Sequence, residues 1–210
     1  MAIKIIGKVL LITGVFFQFG LSCRKGSRPC QFGSYSFSAT SEWSNQREIY
    51  NVGDTIFLNS SFPKTLQDAL NSSITVNFSN AIVIGGGIGI GYLDTVVRSA
   101  VPARNQFDYI SIIGSTGERA VAPDQGLAFS YAELADRYSF KCGLICRQKG
   151  IFTVSVADLK SPGINGKNCT NAGFSMTVTN SEKHFSLYQY ALGFQNDADG
   201  IRRGYCFRVQ

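Results

Sequence analysis

Lys149-Gly150-Ile151-Phe152-Thr153-Val154-Ser155-Val156 decides the fold class. A glycine able to turn the chain leads into six residues rich in β-branched side chains, the strongest strand signal present. A period of two recurs on either side of it. Upstream, Tyr35, Phe37 and Ala39 alternate with Ser34, Ser36 and Ser38, and Ile74, Val76 and Phe78 alternate with Thr75, Asn77 and Ser79. Between them, Ile56 and Leu58 flank Phe57 after a Gly53-Asp54 turn. Residues 81–92 are apolar and glycine-rich, residues 107–113 are β-branched and aromatic, and residues 128–134 with 138–146 read as two edges of a hairpin-like segment. Residues 174–179 and 205–209 complete the series. Helical patterning is confined to residues 65–70 and 183–192, where Phe185, Leu187 and Tyr188 share a face. Many short strands divided by turn residues predict an all-β chain folded as an antiparallel β-sandwich with one or two short helices, a barrel being the alternative.

The first residues read differently. Lys4 and Lys8 precede an apolar run over residues 9–21 that ends in Gly20-Leu21-Ser22, just before Cys23. A basic start, an apolar stretch and small residues mark a secretory signal peptide, and the run is too short, and with Gln18 too polar, for a retained membrane span. The expected organisation is a signal peptide over residues 1–22, Cys23 with a tether to residue 33, and one sandwich domain over residues 34–210. Ser22 and Cys23 resemble the end of the lipobox of bacterial lipoproteins, with Gly20 standing where that motif usually has Leu. The resemblance implies cleavage before Cys23 and acylation of its thiol, each buried methylene adding about 0.8 kcal/mol of membrane anchoring. Ordinary secretory cleavage of the same bond, giving a secreted protein, is the alternative.

Val52-Gly53-Asp54-Thr55-Ile56-Phe57-Leu58 resembles the turn and strand that open immunoglobulin-like modules of Bacteroidota envelope proteins. Lys149-Gly150-Ile151-Phe152 resembles the turn into a late core strand of such modules. The chain therefore resembles the small predicted lipoproteins of that phylum, which implies an immunoglobulin-like sandwich at the cell envelope and leaves the partner open. Acidic residues after the acylated cysteine mark surface export in some of these lipoproteins. Here Arg24, Lys25 and Arg28 follow it, which implies a periplasm-facing outer-membrane site.

The formal net charge of +6 falls to about +4 when Lys4 and Lys8 leave with the signal peptide, a balance that serves solubility. Arg24-Lys25 with Arg28, and Arg202-Arg203 with Arg208, lack the interleaved aromatics of a nucleic-acid surface, so no nucleic-acid partner is expected. Six cysteines suit an oxidising compartment. With Cys23 acylated, the other five cysteines allow 15 patterns of two bridges, among which Cys146 with Cys169 and Cys30 with Cys206 are favoured because each ties a loop or terminus to the sheet. Cys142 and Cys146 stand about 13 Å apart on an extended strand, too far for a direct bridge. Their spacing is not that of a zinc ribbon either.

Catalytic patterns are weak. His184 is the sole histidine and reads as a surface or capping residue; Glu42, Glu118 and Glu133 would be the carboxylates of a glycosidase pair, though strand-edge roles suit them equally. Gly85-Gly86-Gly87-Ile88-Gly89-Ile90-Gly91 has neither dinucleotide-loop nor P-loop spacing and reads as a strand whose glycines admit a close backbone or a bulky side chain. Asn196-Asp197-Ala198-Asp199-Gly200 resembles the middle of a calcium loop, but Gln195 and Cys206 stand at its end positions. No metal or other cofactor is expected. Trp43, Tyr92, Tyr109, Tyr188 and Tyr190 would either line the core or form a platform for sugars. Asn59, Asn71, Asn77 and Asn168 open N-glycosylation triplets, and Asp54-Thr55-Ile56 and Asp94-Thr95-Val96 resemble Bacteroidota O-glycan acceptors. The expected role is a non-enzymatic binding or structural module facing an envelope protein or glycan, the alternative being a hydrolase or glycan-binding protein of a polysaccharide-uptake system.

Overall fold

A computed structural model describes residues 34–179, 185–193 and 204–210. Cys23, Cys30, His184, residues 195–200, Arg202 and Arg203 lie outside the described residues. In chain order the strands are β1 (Ser34–Ser44), β2 (Ile49–Tyr50), β3 (Thr55–Pro63), β4 (Thr65–Gln67), β5 (Thr75–Asn77), β6 (Gly85–Asp94), β7 (Ser99–Pro102) and β8 (Phe107–Ile113). They continue with β9 (Ser115–Glu118), β10 (Gly126–Ser130), β11 (Ala132–Glu133), β12 (Arg137–Cys146), β13 (Gly150–Val156), β14 (Leu159–Ser161) and β15 (Asn171–Thr179), then helix α1 (Phe185–Leu192) and β16 (Gly204–Val209).

One layer of the sandwich runs β12-β3-β1-β15-β14, with β8 and β11 along the free side of β12. The other has β6 at its centre, β13, β16 and β2 to one side and β10, β9 and β7 to the other. Hydrogen bonding passes between the layers where Lys160 of β14 lies opposite Gly85 of β6. The pairing is mostly antiparallel, but β1 with β15 and β16 with β2 are parallel. These pairs join segments far apart in sequence, so no tight hairpin dictates their direction.

Alternation works as the sequence predicts. Phe37, Ala39 and Trp43 of β1 and Ala172, Phe174, Met176 and Val178 of β15 all point into the core. Phe174 sits 5.2 Å from Phe37 and 5.4 Å from Phe62. Across the layers, Phe129 stacks on Phe140 at 4.3 Å and Phe107 meets Phe152 edge-on at 5.0 Å. Each such ring contributes about 1.5–3 kcal/mol on burial. At the Gly53-Asp54 turn, Gly53 takes φ 94 and Asp54 Oδ2 accepts the N–H of Asn51, as the turn chemistry requires. Gly150 is needed for closeness, because a Cβ there would lie 2.7 Å from the Tyr92 ring.

Three local expectations are corrected. Residues 65–70 are not helical: Thr65–Gln67 pairs with Thr75–Asn77, and Leu66 is buried opposite Val76. A β-strand partner outweighs the weak helical pattern of so short a segment. Residues 128–134 split, since only β11 pairs with β12 while β10 lies between β6 and β9 in the other layer. The expected bridges do not form either: Cys142, Cys146 and Cys206 are free, buried thiols. Cys146 is packed in the core and Cys206 lies beneath α1, whereas Cys169, which is disulfide-bonded, lies in the turn before β15. Neither Cys146 with Cys169 nor Cys30 with Cys206 is therefore a pair.

Helix α1 packs on the outer face of the β6 layer, placing Leu187, Ala191 and Leu192 on Leu93 and Cys206. Among the described residues no helix is long and apolar enough to cross a membrane.

Candidate functional site

The outer face of the β1 layer carries the side chains left over from the core alternation. On β12, β3, β1 and β15 in turn, Lys141 lies opposite Asn59, Asn59 opposite Glu42, and Glu42 opposite Thr179. Ammonium, amide, carboxylate and hydroxyl thus form one row across four strands, about 4.8 Å apart. A second row holds Ser139 opposite Ser61, their hydroxyls 3.1 Å apart, and Thr40 opposite Thr177. Most of these side chains line a cleft of 360 Å³ that Ile113 closes at one side.

Phe57 supplies the apolar part of this face. It lies two residues before Asn59 on β3, half-buried, with the Lys141 ammonium 5.5 Å from its ring centre. Gly143 keeps the neighbouring strand bare, for a Cβ there would press on Thr55, Ile110 and Phe57 at 2.8–3.1 Å. Underneath, Tyr131 donates to the buried Ser60 hydroxyl at 2.6 Å, which donates to the Thr40 carbonyl at 2.6 Å. This relay fixes β1 against β3 from the core side. Burial pushes the Tyr131 phenol well above its ordinary range, so it stays a donor.

A flat ring beside an amide, a carboxylate and several hydroxyls offers donors, acceptors and a stacking surface together. Glycans require that combination, because each sugar hydroxyl both donates and accepts while the ring's C–H face is apolar. Among the described residues Glu42 is the one carboxylate lining the cleft, whereas two-carboxylate glycoside hydrolysis requires a second within about 5–9.5 Å.

The other predicted carboxylates lie elsewhere. Glu118 faces Arg104 at 3.4 Å, and Glu133 meets Lys64 at 2.7 Å while accepting from the N–H of Asn80 and the hydroxyl of Tyr138. Burial works against ionisation of Glu133, yet Lys64, Asn80 and Tyr138 hold its carboxyl below the usual range. Its role is to tie loops together. The five predicted platform aromatics do not gather. Trp43 is 3 % exposed and stacks on Tyr205, Tyr92 packs on Phe152, Tyr109 lies under the Arg104 guanidinium, and Tyr188 stacks on Phe185. Tyr190 alone among them stands well exposed, on α1. Sequence reasoning missed Phe57 and Lys141. The signal was the phase of β3, which puts an aromatic between Ile56 and Leu58 and therefore on the outside.

The glycine run lies on β6 and does admit close neighbours. A Cβ on Gly85 would meet the Phe129 carbonyl at 2.7 Å, one on Gly86 the Leu159 side chain at 2.8 Å, and one on Gly89 the Ser155 hydroxyl at 2.7 Å. Gly87 is roomier, with the nearest atom 3.7 Å away. The result is a shallow trough of 560 Å³ edged by Arg119, Asp158 and Lys160. Among the described residues no group of three His, Cys, Asp or Glu side chains is placed to hold a metal.

No protein-family model and no curated sequence matches this chain. Among solved structures it is similar to the human F-spondin reeler domain, at 9 % identity over 71 % of this chain and 94 % of that one, with a TM-score of 0.33. It is also similar to the second type II cohesin module of the adaptor scaffoldin ScaA from Acetivibrio cellulolyticus, at 11 % identity over 67 % and 92 % with a TM-score of 0.33. A third is a cohesin module from a Clostridium perfringens family 33 glycoside hydrolase, at 10 % identity over 68 % and 98 % with a TM-score of 0.33. At these values the likenesses bear on neither partner nor activity.

Proposed function

We propose that this chain is a lipoprotein of the bacterial cell envelope, held by acylated Cys23 on the periplasm-facing side of the outer membrane, and that its sandwich is a non-enzymatic glycan-binding module. The observation that carries the binding reading is the row Lys141–Asn59–Glu42–Thr179 beside Phe57, on a sheet face that no described element covers. Asn59 reaches hydroxyls as donor and acceptor, Glu42 accepts, Lys141 donates, and Phe57 packs against the C–H face of a sugar. One carboxylate in the cleft among the described residues supports binding without hydrolysis. The anchor reading rests on Ser22-Cys23 and the residues before it.

Calorimetric titration with a panel of bacterial-envelope and plant polysaccharides tests the binding reading. Wild type binds at least one, and Asn59→Ala and Phe57→Ala each weaken that binding about tenfold with an unchanged melting temperature. Undiminished binding by both variants removes the assignment to this face. Metabolic palmitate labelling tests the anchor, and label that persists in Cys23→Ser, or that is absent from wild type, removes it.

A further inference from the structure

The end of the sandwich at which β1 begins is studded with exposed aliphatic side chains. Leu70 is 83 % and Ile82 60 % exposed, and Ile74, Val83 and Leu134 are exposed as well. Hydrogen bonds place their loops together at that end. Ala69 donates to the carbonyl of Ser36, two residues into β1, and Ile82 donates to Gly163 in the turn that leads towards β15. Asn80 donates to Glu133, next to Leu134.

Each loop is also hydrogen-bonded within the protein at its apolar tip. The N–H of Leu70 goes to Asp68 Oδ1, that of Ile74 to the carbonyl of Asn71, that of Ile82 to Gly163, and that of Leu134 to Arg137. A backbone so satisfied can leave water without losing a donor's partner, which lowers the cost of approaching a lipid interface. Two ion pairs stand nearby, Lys64 with Glu133 and Arg137 with Asp136, and Lys167 lies on the adjoining turn, where its cation suits an anionic headgroup. The tips are aliphatic and stand on separate loops, and among the described residues they do not converge on the single pocket that marks a protein hot spot.

We propose that this end docks on a lipid bilayer, with Leu70, Ile74, Ile82, Val83 and Leu134 dipping into the headgroup boundary. The choice of occupant rests in part on the Cys23 anchor. Ten residues separate Cys23 from Ser34, a reach of about 35 Å at most, so an acylated Cys23 brings this end to the membrane first. Docked in this way, the strands stand upright and the Phe57 face looks sideways, clear of the lipid.

The test removes the acyl chain. The exported Cys23→Ser chain, with loss of residues 1–22 verified by mass, is sedimented with vesicles of phosphatidylethanolamine containing a minority of phosphatidylglycerol. It pellets with vesicles and stays in solution without them, and adding Leu70→Ser, Ile82→Ser and Val83→Ser together lowers the bound fraction about tenfold or more. Val96→Ser with Val97→Ser is the control, since these residues are also exposed and also have their N–H groups bonded, to Asp94, in the turn that follows the far end of β6. The control pair leaves binding unchanged. The proposal is overturned if the Cys23→Ser chain fails to pellet with vesicles, if the triple change leaves pelleting intact, or if the control pair lowers it equally. None of these outcomes depends on whether Cys23 is acylated in the native protein.

Discussion

The outer faces of the two layers are built from the same kind of strand and end in opposite states. On the β6 layer, α1 seals the region over Leu93 and Cys206, and the glycines of β6 keep the neighbouring region low enough for close contacts. On the β1 layer no helix intervenes among the described residues, and Lys141, Asn59, Glu42, Thr179 and Phe57 reach outward. Side chains present on an uncovered face are free to meet a ligand, while side chains deleted from a face let the fold close tightly.

The strongest challenge to this contrast is alkaline titration, which asks whether α1 seals its region as well as the core is sealed. Burial pushes the thiols of Cys142 and Cys146 up to about 12 and that of Cys206 up to about 11. The unfolded chain therefore loses these protons first, near pH 9. Stability is fully present below that pH and falls as pH rises towards the native values, by about 2 kcal/mol per thiol at pH 10.5. The buried phenols of Tyr50, Tyr131, Tyr138 and Tyr205, also pushed up by burial, add a smaller loss above pH 10. Denaturant midpoints measured from pH 8 to 10.5 check this, and Cys206→Ala lowers the loss by about 2 kcal/mol if the helix seal holds.

A smaller effect tests the glycine region. Gly126→Ala would set a Cβ 1.9 Å from the Ile88 carbonyl, so β10 must move off β6, at a cost of about 3 kcal/mol in urea unfolding. The smallest effects belong where atoms have room. Gly87→Ala, with 3.7 Å of clearance, shifts stability by less than about 0.5 kcal/mol, and Glu42→Ala on the exposed row does the same. A large loss from Gly87→Ala breaks the distinction between closed and open glycines.

Position by position, the sequence was a good guide wherever the decision was local. The alternation in β1, β3, β13 and β15 placed Phe37, Leu58, Val154 and Phe174 inside, because side-chain direction in a strand depends on phase alone. The same phase put Phe57 outside, although the surrounding apolar residues hid its meaning. Glu42 was legible as a carboxylate but not as a member of a row, since its neighbours Asn59 and Thr179 come from strands distant along the chain. The cysteine pairing was illegible for the same reason.

The sequence by itself determined the strand period, the Gly53 turn and the residues each strand turns inward, all of which follow from covalent geometry and from burial of apolar surface. Only the tertiary structure decided that β1 lies parallel to β15, that residues 65–67 pair with 75–77, that Cys146 and Cys206 stay unbridged, and that Lys141, Asn59, Glu42 and Thr179 share a row. Those outcomes depend on which strands meet across long stretches of chain, a choice made by the sum of many weak contacts and written in no single segment.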